Sequence, residues 1–219
     1  MQSGAEQFDA KSILYVMEHA QRLDGALTIV PDLNLLRGKV LANCFFEPST
    51  RTATSFHVAM LRMGGTVVGL TQENSSVQKG ETLEDTVRTL ESYADVLVMR
   101  HPVQGAADLA ASVLDHAPII NAGDGGGEHP TQALLDLFCI YQRFGSLTEP
   151  LTVTMVGDLK FGRTVHSLAQ MISYFPNIRL NFVSPSNLQM PKQYTDILEK
   201  RKCKFEVCSS LEVGMRHYS

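Results

Sequence analysis

The sequence predicts an α/β protein of two parallel-sheet αβα domains, the second of them short. Three observations carry this. The short apolar run Val40–Phe46 reads as a strand in a covered sheet, and Leu151–Val156 and Ile178–Val183 read as further strands. Segments with apolar residues at helical spacing separate them. Strands alternating with helices in this way build right-handed parallel βαβ units with helices on both sides of the sheet.

In order, Asp9 is placed to cap a first helix running to about Arg22, with Ile13, Leu14 and Met17 inward and Gly25 as its stop. Val40–Phe46 is the first strand, and Thr54–Met63 a helix with Phe56, Ala59, Met60 and Met63 on one face. Gly64-Gly65 breaks the chain before a strand at Thr66–Leu70 and a polar loop over 71–80. Thr82-Leu83-Glu84-Asp85 resembles a capping box for a helix ending near Tyr93. A strand at Asp95–Met99, a helix at Ala106–Leu114 and a strand at Pro118–Asn121 follow. After the glycine-rich loop Gly123–Gly127, Pro130 suits the first turn of a helix that Gly145 ends. The turn-rich link before Leu151 places a domain boundary between residues 147 and 148. Beyond it come a strand at Leu151–Val156, a helix near Thr164–Tyr174, a strand at Ile178–Val183, a helix at Lys192–Arg201 and a strand at Lys204–Val207. Residues 148–219 amount to roughly 70, fewer than a domain commonly has.

A net charge of -4 gives no general attraction to nucleic acid or anionic membranes, so an anion site has to come from local placement of Arg, Lys and backbone amides. Cys44, Cys139, Cys203 and Cys208 form no C-x-x-C pair and read as reduced packing residues. No apolar run approaches the ~20 residues of a membrane span. Met1–Glu6 lacks the basic-then-apolar order of a signal peptide. A cytoplasmic address is expected.

The chemistry concentrates at strand ends, where open parallel sheets take ligands. Ser49, Thr50, Arg51 and Thr52 lie between the first strand and its helix, where unpaired N–H groups and the helix dipole favour an anion. A cap needs one such residue; a Ser, two Thr and an Arg with its two-pronged guanidinium exceed that need. Arg100-His101 follows another strand, and His129-Pro130-Thr131-Gln132 a third. The glycine loop has no G-K-[ST] ending, Gly157–Arg163 has no G-x-G-x-x-G, no His, Cys or carboxylate group has zinc-ligand spacing, and no G-x-S-x-G nucleophile occurs. These absences disfavour nucleotide, metal and Ser-nucleophile chemistry. A set of donors fits a reaction whose substrates bring the nucleophile and leaving group while the protein supplies position and charge stabilisation.

Four motifs resemble the aspartate carbamoyltransferases, relatives of the ornithine enzymes, over about residues 8 to 212. They are Phe46–Thr52 with Ser55, Lys79-Gly80-Glu81-Thr82, Arg100-His101-Pro102 with His129–Gln132, and Val156–Lys160 with Gly162–His166. Thr131 in the His-Pro-Thr-Gln run is similar to the aspartate branch, where the ornithine branch has Cys. Ser75–Lys79 is most similar to the version fused into animal multifunctional pyrimidine-synthesis polypeptides.

The resemblance implies transfer of the carbamoyl group of carbamoyl phosphate to the α-amine of L-aspartate without a cofactor or metal. By the same resemblance Ser49, Thr50, Arg51 and Thr52 hold the phosphate, and Thr52, Arg100 and His129 surround the carbamoyl oxygen. Gln132 accepts from the carbamoyl NH2, and Arg163 binds an aspartate carboxylate. Ser75 and Lys79 reach a neighbouring subunit's site, which implies a homotrimer with shared sites. The family's second domain continues further and supplies an R-x-Q motif and an H-P-L-P turn, neither present in this sequence, and the match fades after Leu211-Glu212. The second domain is therefore expected to be incomplete, with apolar sheet edges exposed. The alternative to a carbamoyltransferase is an inactive carbamoyl-phosphate-binding or subunit-interaction protein.

Overall fold

The computed structural model describes residues 4–71, 80–125 and 127–215. Ser12 donates its backbone N–H to Asp9 Oδ1 at 2.7 Å and accepts from the Asp9 N–H at 2.8 Å, so Asp9 starts the first helix as expected. That helix, α1 (Ala10–Ile29), runs through Gly25 and stops only before Pro31. An exposed glycine costs a helix about 1 kcal/mol without ending it, whereas proline restricts the residue before it. The remaining elements are β1 (Val40–Phe45), α2 (Thr50–Arg62), β2 (Thr66–Thr71), α3 (Leu83–Glu91), β3 (Val96–His101), α4 (Ala106–Val113), β4 (Ile119–Asp124), α5 (Pro130–Phe144), β5 (Leu151–Val156), α6 (Arg163–Ile172), β6 (Ile178–Val183), α7 (Lys192–Lys200), β7 (Lys204–Cys208) and α8 (Leu211–Met215). The last of these was not expected from the sequence.

Two compact units result. The first holds residues 22–127 and the second residues 5–21 and 128–219, so this partition gives α5 to the second unit, while the expected domain boundary lies after it.

In the first unit an all-parallel sheet has the order β2-β1-β3-β4. Strand pleating sends alternate residues to opposite faces. Ala42, Cys44, Leu97 and Met99 pack with Val87 of α3 and with Ala106, Ala107 and Ala110 of α4. Leu41, Phe45, Val98 and Ala122 pack on the other face with Met60 of α2. Both faces are covered at the central strands β1 and β3, which is why these two read as largely apolar runs.

In the second unit the order is β5-β6-β7, again parallel. One face presents Leu151, Val153, Met155, Ile178, Leu180, Phe182 and Phe205 to a core with Leu168, Ala169 and Ile172 of α6 and Leu198 of α7. α5 adds Ala133 and Leu137, and α1 adds Ile13 and Met17. The opposite face is largely polar. It carries Thr152, Thr154, Arg179, Asn181, Lys204 and Glu206, with Arg179 Nη2 2.6 Å from Glu206 Oε2. Over it lies α8, where the Gly214 carbonyl accepts from Thr154 Oγ1 (3.1 Å) and Asn181 Nδ2 (2.8 Å). The exposed apolar side chains of this sheet, Val156 on β5 and Val207 on β7, lie on its outer strands, the edges at which exposure was expected.

Candidate functional site

α2 begins at Thr50, four residues before the expected Thr54. Thr50, Arg51 and Thr52 therefore form its first turn, and Ser49 is the N-cap (φ -155°, ψ 89°). The Ser49 side chain makes no capping hydrogen bond; its carbonyl accepts from Ala53 N–H at 3.2 Å. The hydroxyl expected in a cap is left for something else. Arg51 is exposed and makes no ion pair among the described residues. Ser55, the last residue of the signature, donates to the Thr52 carbonyl at 2.9 Å and so serves the helix.

Register brings Arg100 to this turn. The parallel pairing Phe45↔Arg100 puts both on one face of the sheet, and that face is the one α2 covers. Phe46 N–H bonds to the Arg100 carbonyl at 2.9 Å. Arg100 Nε lies 2.5 Å from Glu47 Oε1, with the two side chains 15% and 24% exposed, so a carboxylate holds the guanidinium beside the strand end. His101 points to the opposite face, its ring 5.2 Å from Phe46, and its Nδ1 accepts from Val103 N–H at 3.0 Å. Burial lowers its pKa; the Glu47 and Asp124 carboxylates pull the other way.

Asp124 fastens the ends of β3 and β4 together. Its Oδ2 accepts from Gly105 N–H at 2.9 Å and its carbonyl from Gly127 N–H at 2.9 Å, while Gly125 N–H donates to the His101 carbonyl at 2.7 Å. The chain passes from there into the second unit. His129, 7% exposed, is the N-cap of α5: its Nδ1 accepts from Gln132 N–H at 3.3 Å, and its own N–H donates to Ser167 Oγ at 3.1 Å. With Nδ1 accepting, Nε2 is the ring's donor. Gln132 Nε2 donates to Asp136 Oδ1 at 3.0 Å.

Arg163 is the first residue of α6, after a tight turn. Asp158 Oδ1 accepts from Lys160 and Phe161 N–H at 3.0 and 2.9 Å, and a Cβ on Gly162 would meet the Asp158 carbonyl at 2.6 Å. His166 Nε2 donates to the Leu159 carbonyl at 2.8 Å and its ring stacks on Tyr194 at 4.1 Å. Burial lowers the pKa of this ring too. Ser75 and Lys79 lie outside the described residues.

The structure thus joins Ser49, Thr50, Arg51, Thr52 and Arg100 at one sheet edge of the first unit, and His129 with Gln132 at one helix start of the second. Sequence reasoning missed the supporting groups Glu47, Asp124, Asp136 and Ser167. Only Asp136, four residues after Gln132, carried a readable signal, the helical i, i+4 spacing. Among the described residues no group of three or more His, Cys, Asp or Glu is placed to hold a metal ion, and no helix is long and apolar enough to cross a membrane.

The family model described as "Aspartate/ornithine carbamoyltransferase, carbamoyl-P binding domain" matches residues 3–142. The aspartate carbamoyltransferase catalytic subunit of Thermococcus gammatolerans is 48% identical over 206 residues, which is 94% of this chain and 66% of that protein. The multifunctional protein CAD of Squalus acanthias is 50% identical over 209 residues, 94% of this chain and 9% of its own length. A Trypanosoma cruzi aspartate transcarbamoylase crystallised with carbamoyl phosphate and aspartate superposes with a TM-score of 0.88 at 44% identity, covering 95% of this chain and 67% of that one. The Methanocaldococcus jannaschii catalytic subunit gives 0.89 at 45% identity, covering 95% and 68%. The chain spans about two thirds of the length of such relatives, 66% for the first. It belongs to the aspartate/ornithine carbamoyltransferase family.

Proposed function

We propose that this chain transfers the carbamoyl group of carbamoyl phosphate to the α-amine of L-aspartate, a step of de novo pyrimidine synthesis. The products are N-carbamoyl-L-aspartate and phosphate. The observation that carries the reading is the first turn of α2, where Ser49 leaves its capping bond unmade beside an exposed Arg51. Helix N–H groups, three hydroxyls and a guanidinium make a cradle for a phosphoryl group. Thr52, Arg100 and His129 Nε2–H are assigned to the carbamoyl oxygen, Gln132 to the carbamoyl NH2 and Arg163 to an aspartate carboxylate.

In this reading the amine lone pair attacks the carbamoyl carbon, the oxygen takes negative charge, and the C–O bond to phosphate breaks. Phosphate leaves with that electron pair and accepts the amine proton. Each donor to the oxyanion is worth about 3–4 kcal/mol of barrier. Arg100 enters the step with Glu47 at its side, so ligand binding is expected to draw the guanidinium from the carboxylate toward the carbamoyl oxygen.

The same proposal includes the domain division 1–147 for carbamoyl phosphate and 148–219 for part of the aspartate site. It also includes a homotrimer in which Ser75 and Lys79 complete a neighbour's site, and a cytoplasmic address. The family match over 3–142 supports the first domain, and four free cysteines fit the address.

Titration calorimetry with carbamoyl phosphate, together with an assay for carbamoyl aspartate, tests the reading. Arg51→Ala is expected to abolish carbamoyl phosphate binding while leaving the melting temperature within a degree or two, because the residue is exposed. Unchanged affinity in that variant would refute the phosphate cradle. Binding without any turnover would instead identify a carbamoyl-phosphate-binding or subunit-interaction protein.

A further inference from the structure

We infer that Asp136 is a positioning residue that fixes which end of the Gln132 side-chain amide faces the ligand, and through it the preference for a carbamoyl group over an acyl group. The inference rests on the carbamoyl phosphate reading. Gln132 and Asp136 are four residues apart on α5, and Gln132 Nε2 donates to Asp136 Oδ1 at 3.0 Å. An ionised carboxylate only accepts hydrogen bonds, so the amide must present its NH2 to Asp136 and leave Oε1 as its free end. A carbamoyl NH2 only donates. Oε1 complements it, and the flipped amide would set donor against donor.

The N-cap of the same helix, three residues before Gln132, has its polarity set in a similar way. His129 Nδ1 is occupied by the Gln132 N–H, so its ring offers Nε2–H to an acceptor such as the carbamoyl oxygen. The opening of α5 thus supplies one donor and one acceptor, the pattern of an –C(=O)NH2 group. Asp136 is half-buried, and burial pushes its carboxyl pKa up while the Gln132 hydrogen bond opposes the shift. A single side-chain pair four residues apart on a 15-residue helix contributes little to its stability, so removing the carboxylate leaves the helix in place.

Three probes separate positioning from mere support in the 219-residue chain: inorganic phosphate, phosphonoacetamide, and phosphonoacetone, in which a methyl replaces the NH2. The unsubstituted chain is expected to prefer phosphonoacetamide by about tenfold, the worth of one well-placed hydrogen bond. Asp136→Ala is expected to bring that preference close to one while phosphate affinity stays within about twofold. Asp136→Asn, whose amide can face Gln132 either way round, is expected to fall between. An Asp136→Ala chain that discriminates as well as the parent overturns the inference. So does one that loses phosphate to the same degree, because the residue would then support the fold at large. A parent chain that binds phosphate without discriminating overturns it as well. A parent chain that binds none of the three overturns the carbamoyl phosphate reading itself, and the inference with it.

Discussion

At Gly125 the backbone sits at φ +53°, and an added Cβ would lie 2.3 Å from the carbonyl oxygen of Pro102. Gly145 also has positive φ, +74°, with nothing within 4 Å of the same position. A left-handed conformation costs a residue with a side chain about 1–2 kcal/mol, so Gly145→Ala is expected to lose about that much. Gly125→Ala adds a collision with backbone, which cannot swing aside as a side-chain tip can, and about 3–4 kcal/mol is expected. Because Gly125 N–H also binds the His101 carbonyl, next to Arg100, this variant should weaken phosphate binding as well. Equal losses of stability in denaturant melts of the two variants would refute the steric account. The sequence marks Gly123–Gly127 as a loop, but not which glycine is irreplaceable. That depends on Pro102, over twenty positions away in the chain.

Two helix starts with a hydroxyl residue at the N-cap differ in what that hydroxyl does. Thr82 Oγ1 accepts from Asp85 N–H at 3.1 Å, a working cap, whereas Ser49 makes no such bond. Thr82→Ala is therefore expected to cost about 1 kcal/mol without touching ligand affinity. Ser49→Ala should leave stability nearly unchanged and weaken phosphate binding several-fold. Paired melts and calorimetry check both, and a destabilised Ser49→Ala chain would return that residue to capping. Alternation of strand and helix was legible because the central strands of the first unit are largely apolar, while the strands of the second alternate apolar core residues with polar ones on the open face. Element ends were less so. The first turn of α2 is polar, so apolar periodicity first registers four residues into the helix. β3 extends over Arg100 and His101 because pairing with β1 and β4 is a backbone matter that accepts polar side chains. The pair Glu47–Arg100 spans 53 positions and leaves no local trace.

Each unit carries its own core and its own histidine with a lowered pKa, His101 in the first and His166 in the second. In both, burial disfavours the charged ring. Glu47 and Asp124 near His101, and Asp158 near His166, oppose the shift without cancelling it. Local bonds also depend on the neutral form, since His101 Nδ1 accepts from Val103 N–H, and His166 Nδ1 is buried with no hydrogen-bond partner among the described residues. The unfolded chain takes up a proton at each ring near the ordinary value of 6.5, where the folded chain does not. The unfolded state then holds more protons, so stability rises with pH. The contribution is whole above 6.5 and is lost as pH falls from 6.5 through the lowered folded values. Asp136 acts in the opposite sense, because its raised carboxyl pKa lets the folded state protonate first as pH falls toward 3.8. The lowered carboxylates Asp9, Asp95 and Glu91 add a separate loss only as pH falls from their ordinary values of 3.8 to 4.5 downward. Denaturant midpoints are therefore expected to fall in two stages on acidification, the first beginning near pH 6.5. Glutamine at His101 or His166 is expected to remove that residue's part of the first stage and leave the second. A midpoint that stays flat from pH 7 to 5 in the parent chain, or a first stage that survives both substitutions together, would show that these two rings do not govern acid stability.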